Sequence, residues 1–238
     1  MKVDILAVGV HPDDVELSCS GTLAKHIAMG KTAGILDLTR GELGTRGNAE
    51  LRSKEAMEAA KILGVAFRTQ LNFKDGFFEN NEVHLTQIIK QIRIHQPDIV
   101  LCNAVSDRHP DHGRSAKLTA DACFYSGLVK IETHSDGKAQ APWRPKAVYH
   151  YIQDHFIHPD FVVDVSPYVE LKHKSIMAFS SQFYSPGSNE PETPISSKDF
   201  LNSLDAKMAV LGRAIGVRFA EGFTVNRYPG VNSLFDLL

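Results

Sequence analysis

The stretch GVHPDDVEL, residues 9–17, sets His11 and two adjacent carboxylates, Asp13 and Asp14, directly after an apolar run. SDRHPDHGRS, residues 106–115, is a second cluster of the same kind, with His109, Asp111 and His112. Catalytic zinc typically takes three ligands from His, Asp or Glu and leaves one position for water. Pro12 suits the first position of a helix, which places Asp13 and Asp14 in its first turn. Residues three apart face one way there, so His11 and Asp14 can approach one ion. Asp13 then points elsewhere, close to the ion but not bound, where it can take a proton from the ion's water. His109 and His112 share the three-residue spacing; one can complete the metal site while the other faces the substrate. Bound zinc lowers the pKa of its water to about 7 and polarises a carbonyl, chemistry suited to amide hydrolysis. A lone H-P-D is ordinary helix-start chemistry. The metal reading rests on having two clusters, each placed after a predicted parallel strand.

The surrounding elements must hold these clusters together. VDILAVGV (3–10) reads as a buried strand, 16–29 as a helix and TAGILDLT (32–39) as a second strand. Residues 48–64 have helical spacing, strong helix formers and Gly64 as a stop. FRTQLNF (67–73) and PDIVLCNA (97–104) read as further strands, 83–95 and 112–125 as helices. The alternation predicts the α/β class: a Rossmann-like three-layer sandwich with a mainly parallel sheet and helices on both faces. Loops after strand ends hold the ligand in such folds, and both clusters fall in such loops. Beyond them, 146–153 and 160–166 read as strands and 167–181 and 198–215 as helices. Residues 184–197, rich in Pro, Gly, Ser and acidic side chains, read as a long loop able to act as a lid. No linker is evident, so 1–238 reads as a single domain whose part from about 145 onward completes the substrate pocket.

Composition narrows the function classes. The chain is 43% hydrophobic and 23% charged with net charge -2, ordinary for a soluble globular protein and opposed to nucleic acid as the main partner. No apolar run approaches membrane-spanning length, and the N-terminus turns acidic too soon for a signal peptide, so a cytoplasmic location is expected. Cys19, Cys102 and Cys123 are scattered and read as small buried hydrophobes. A nucleotide-binding module is the alternative of another class. It is disfavoured because no G-x-G-x-x-G follows the first strand and carboxylates stand where a pyrophosphate needs backbone amides.

GVHPDDVEL and DRHPDHGRSAKL, together with LTRGELGTRGNAELRSKEA, SSQFYS and GVRFAEGF, resemble the LmbE/PIG-L-type metal-dependent N-acetylglucosaminyl deacetylases over nearly the whole chain. The similarity runs most closely to members that hydrolyse N-acetylglucosaminyl L-malate in bacillithiol biosynthesis, through DDVE, RHPDH and AEGF. The resemblance implies that His11, Asp14 and His112 bind Zn2+, or another divalent ion such as Fe2+. It implies that Asp13 is the general base, that His109 is a charged partner of the oxyanion or leaving amine, and that Asp111 holds one of the histidines. Arg52 then faces substrate and can pair with a carboxylate. Gln153, or His155, is placed to reach the pocket, Tyr184 in the long loop to cover it, and Glu221 to lie near it. The implied partner is a small sugar conjugate, with a further small N-acetylglucosamine glycoconjugate or a chitooligosaccharide as the alternative substrate. The family also implies a homo-oligomer, trimer or hexamer. A second metal site around His150, His155 and His158 is disfavoured, because no partnering ligand follows His158. His26, His84, His95, His134 and His173 read as solvated or core histidines.

Overall fold

The computed structural model describes residues 1–237. Its first half alternates strand and helix: β1 (Ile5–Gly9), α1 (Asp14–Ala28), β2 (Ala33–Thr39), α2 (Ala49–Leu63), β3 (Phe67–Phe73), α3 (Glu82–His95), β4 (Ile99–Cys102) and α4 (Pro110–Tyr125). The short hairpin β5 (His134–Ser135) and β6 (Lys138–Ala139) follows, then β7 (Ala147–Tyr151), β8 (Phe161–Asp164), α5 (Val169–Met177), α6 (Lys198–Ala214) and β9 (Ala220–Val225). Seven strands form one sheet in the order β3-β2-β1-β4-β7-β9-β8. The pairs β3–β2, β2–β1, β1–β4 and β4–β7 are parallel, and β9 runs antiparallel to both neighbours. The α/β class and mainly parallel sheet predicted from the sequence are those observed.

Burial on both faces explains the unbroken apolar strands. Leu6 and Val8 of β1 pack into one core with α3 and α4 residues such as Ile88 and Leu118. Ile5 and Ala7 point the other way, into a second core with Val15, Cys19 and Leu23 of α1. All three cysteines are free and buried, as small hydrophobes would be. The chain leaves β1 toward β2 on one side and returns to β4 on the other. The β1/β4 boundary is therefore the switch point where a crevice opens at the strand ends.

Helix boundaries follow local capping chemistry. Asn48 and Ser197 each accept a backbone N–H at the starts of α2 and α6, and Gly64 closes α2 in the left-handed conformation. Pro110 occupies the first turn of α4. At α1 the structure departs from expectation: Pro12 lies outside the helix, which begins at Asp14, and Asp13 is the residue before it. The helix predicted over 167–181 is shorter, because α5 ends at Met177 and the chain turns through Phe179–Phe183. The strand β9 was not anticipated as an element.

Candidate active site

Both histidine clusters converge at the β1/β4 boundary on a cavity of about 300 Å3, lined by His11, Asp13, Asp14, His109, His112 and Gln153 among others. Asp14 is fixed first. Its Oδ2 accepts hydrogen bonds of 2.9 Å from the backbone N–H of Val10 and His11 and from Asn103 Nδ2. Its Oδ1 is thereby aimed at His112 Nε2, 3.1 Å away. Burial opposes its charge, but the neighbouring His112 and His11 hold the carboxyl well below the usual carboxylate range.

Each of these histidines is backed by a carboxylate. His11 Nε2 lies 2.9 Å from Asp75 Oδ1 and 3.6 Å from Asp111 Oδ2, while its Nδ1 is 3.9 Å from Asp14 Oδ2. His112 bonds through Nδ1 to Asp107. Burial alone would lower both rings. The surrounding acids outweigh it and raise His11 to about 10, through Asp111, Asp75 and Asp14, and His112 to about 9, through Asp14 and Asp107. Imidazoles with one ring nitrogen held on a carboxylate form the arrangement by which histidines are oriented toward metals. Ligand atoms of His11, His109 and His112 lie within 4.8 Å of one another, as do those of His11, Asp75 and Asp111. The three histidines, with the Asp14 carboxylate beside His11 and His112, offer nitrogen and oxygen donors that fit a divalent transition ion. Among the described residues, no group of this kind forms around His150, His155 or His158.

His109 is the N-cap residue of α4 and accepts the Asp111 backbone N–H at Nδ1, 3.2 Å. Burial and the two adjacent imidazoles lower its pKa. With Nδ1 occupied by the Asp111 N–H, Nε2 is the ring nitrogen left to donate into the cavity. Asp111 turns toward His11, with Oδ2 accepting from Gly76 N (2.9 Å) and Oδ1 from Arg114 (2.8 Å).

Asp13 has φ 120° and ψ −25°, a conformation rare for any side chain but glycine. Arg52 clamps it: Nη2 donates to Pro12 O (2.7 Å) and Asp13 Oδ2 (3.0 Å), and Nη1 to Gly41 O (3.0 Å). Gly41 has φ 64°, and a Cβ there would stand 2.0 Å from Arg52 Nη1, so only glycine admits the guanidinium. Burial and the Asp14 charge push Asp13 up to about 7, with Arg52 pulling the other way. Arg52 itself is 5% exposed, and two of its nitrogens are spent on the protein. It nonetheless lines the cavity, where it was expected to face substrate.

Gln153 reaches the site, with Nε2 3.1 Å from Asp14 Oδ1 and Oε1 accepting from Asn103 Nδ2 and Ala104 N, both at 3.0 Å. Tyr184 does not line the cavity; the long loop contributes Thr193, Pro194 and Ile195 instead. Glu221 lies under α1, accepting from Gly21 N, Thr22 N and Lys172 Nζ. His150 is buried against Asn103 O at 2.9 Å. Asp75, Asp107 and Asn103 were missed by sequence reasoning. Their one signal was position, each falling in a loop after β3 or β4.

The family profile described as GlcNAc-PI de-N-acetylase (PIG-L) matches residues 6–123, a span that includes both clusters. The uncharacterized deacetylase YaiS of Escherichia coli is 34% identical over 125 residues, covering 50% of this chain and 67% of that protein. The chain belongs to the PIG-L family. The diacetylchitobiose deacetylase of Thermococcus kodakarensis is 29% identical over 190 residues, covering 75% of this chain and 70% of that enzyme. Among solved structures, the conserved protein TT1542 of Thermus thermophilus superposes with TM-score 0.86 and 33% identity over 98% of both chains. The likeness to this solved structure thus extends past residue 123 into the loop after β7 and into α6, which supply Gln153, Leu204 and Lys207 to the cavity wall.

Proposed function

We propose that the chain is a zinc-dependent N-deacetylase of an N-acetylglucosaminyl conjugate, with N-acetylglucosaminyl L-malate of bacillithiol biosynthesis as the leading substrate. The observation that carries the activity is the strained, Arg52-clamped Asp13 beside the carboxylate-backed His11, Asp14 and His112. His11, Asp14 and His112 would hold the ion. When bound, it supplies Lewis acidity to the amide carbonyl and to the attacking water.

The protein's own groups do the rest. Asp13 takes a proton from the water as its oxygen bonds to the carbonyl carbon. His109, through Nε2–H, donates a hydrogen bond to the oxygen that gains negative charge. When the C–N bond breaks, the proton held by Asp13 goes to the departing nitrogen, leaving acetate and the free amine. Arg52 and Gln153 keep Asp13 and Asp14 in register.

The malate conjugate needs a cation for its carboxylates. With Arg52 engaged, Arg108 on the cavity wall, bonded to Asp154 through Nε at 2.6 Å, takes that part. The second reading, a chitooligosaccharide substrate, is favoured by the similarity to a diacetylchitobiose deacetylase. We read 1–238 as one cytoplasmic domain acting as a homo-oligomer. The test is acetate release from N-acetylglucosaminyl malate, N-acetylglucosamine and diacetylchitobiose, using metal-stripped protein restored with Zn2+ or Fe2+. The expected result is turnover of the malate conjugate that Asp13→Ala abolishes. Preference for diacetylchitobiose would favour the second reading, and metal-independent release would sink both.

A further inference from the structure

Behind the metal-binding end of the cavity lies a smaller recess of about 40 Å3, which shares Leu17, Ser18, Gln153, Leu204 and Lys207 with it. Its position is set by Gln153, whose amide contacts both Asp14 Oδ1 (3.1 Å) and His112 Nε2 (3.3 Å). Gln153 therefore borders both the recess and the reacting centre. Its deeper lining is apolar: Ile152, Met208, Leu211 and Ala220. The charges in its floor are already satisfied. Lys172 Nζ donates to Glu16 O, Leu17 O and Glu221 Oε1, and both Glu221 oxygens also take backbone N–H groups of α1. Lys207 Nζ is turned to the carbonyls of Gln153 and Asp154. Small residues keep the space open: a Cβ on Gly222 would press within 3.0 Å of both Ile152 and Leu211.

Two groups flank the carbon that reacts: the amine with its sugar, and the acyl chain. A sugar ring with several hydroxyls meets too few free polar partners in a recess lined mainly by apolar side chains, where unpaired hydroxyls are disfavoured. It is also too large, since 40 Å3 holds about three water-sized positions. An acyl chain suits both size and polarity. We propose that this recess receives the acyl chain and that the enzyme removes N-acyl groups longer than acetyl, with propionyl and butyryl as substrates. The inference rests on the deacylase reading above and adds to it the class of acyl group.

The test compares N-acetyl, N-propionyl and N-butyryl forms of one glucosamine conjugate on the zinc-loaded enzyme. It uses Met208, which lines the recess but not the main cavity. The expected wild-type kcat/KM for butyryl lies within roughly tenfold of that for acetyl. Met208→Phe fills the recess and should lower the butyryl-to-acetyl ratio by about tenfold, the scale on which apolar pockets discriminate methylenes. Met208→Ala should raise that ratio. Because the ratio is internal to each protein, partial misfolding cancels. Hydrolysis of acetyl with none of butyryl, or a ratio unmoved by both substitutions, overturns the proposal. Loss of all hydrolysis, acetyl included, would count against the deacylase reading instead. The recess would then be judged by thermal stabilisation with N-butyryl- against N-acetylglucosamine. A butyryl preference that Met208→Phe removes upholds it, and equal stabilisation in both proteins overturns it.

Discussion

Asp13 sits in a backbone region that costs a non-glycine residue about 1–3 kcal/mol, and the structure keeps it there with one guanidinium. Arg52 bonds the Pro12 carbonyl and the Asp13 carboxylate through the same nitrogen, so it fixes the peptide and the side chain together. Arg52→Ala should release both. The expected outcome in steady-state kinetics is a fall in kcat of about a hundredfold, within the range attributed to a positioned base, with KM changed much less. Added guanidinium should restore part of kcat. A rise in KM with kcat preserved would instead return Arg52 to substrate binding. The sequence made this pair half legible. HPDD and HPDH displayed His11, Asp14, His109 and His112, since neighbours in a motif stay neighbours in space. The carboxylates behind the histidines, Asp75 and Asp107, were not legible as partners. Asp75 arrives from the end of β3, 64 positions from His11, and only strand order brings the two together.

At the scale of elements, the buried ion pairs show what the strand pattern conceals. Arg68 of β3 is wholly buried, donating to both oxygens of Asp37 on β2 (2.7 and 2.8 Å) and to Glu16 on α1. A polar residue inside an apolar strand reads as a weak point, yet here three elements are locked through it. Arg68→Met puts an apolar side chain of similar reach there but leaves Glu16 buried without its cation and Asp37 with only the Gln70 amide, at 3.2 Å. Loss of one member of such a group typically costs about 3–5 kcal/mol. Chemical denaturation should show a midpoint shift of that size, and a shift under about 1 kcal/mol would mean that water or repacking replaces the guanidinium. The same physics explains the missed strand β9. AEGFTV carries an acid and a glycine where a buried strand should be apolar, and the reason lies elsewhere in the chain. Glu221 is neutralised by Lys172 and by the backbone of α1, and Gly222 gives way to Ile152 and Leu211.

The whole molecule joins these levels through its response to pH. The alternating first half announced the sheet because each strand there is buried on both sides. The second half showed β7 and β8 as strands but not β9 or its pairing, because β9 ends in half-exposed positions and its antiparallel reversal is encoded by no local pattern. At the junction of the two halves, where β4 pairs with β7, His150 is buried with Nδ1 on the Asn103 carbonyl, and its Nε2 has no partner among the described residues. Burial lowers its pKa from the ordinary 6.5, the Asn103 carbonyl opposing. The unfolded chain therefore takes up a proton in a range where the folded protein refuses it. The stability His150 contributes is complete above 6.5 and is lost as pH falls through the lowered folded value. His150→Gln removes the titrating group while keeping a side chain that can donate to Asn103. The variant should be the less stable protein at pH of about 7.5, and the gap between the two should narrow on acidification to about pH 5.5. Melting temperatures measured across that interval check it. Since both proteins share every other ionisable group, a gap independent of pH would mean that His150 has the same pKa folded as unfolded and that the β4/β7 junction admits water.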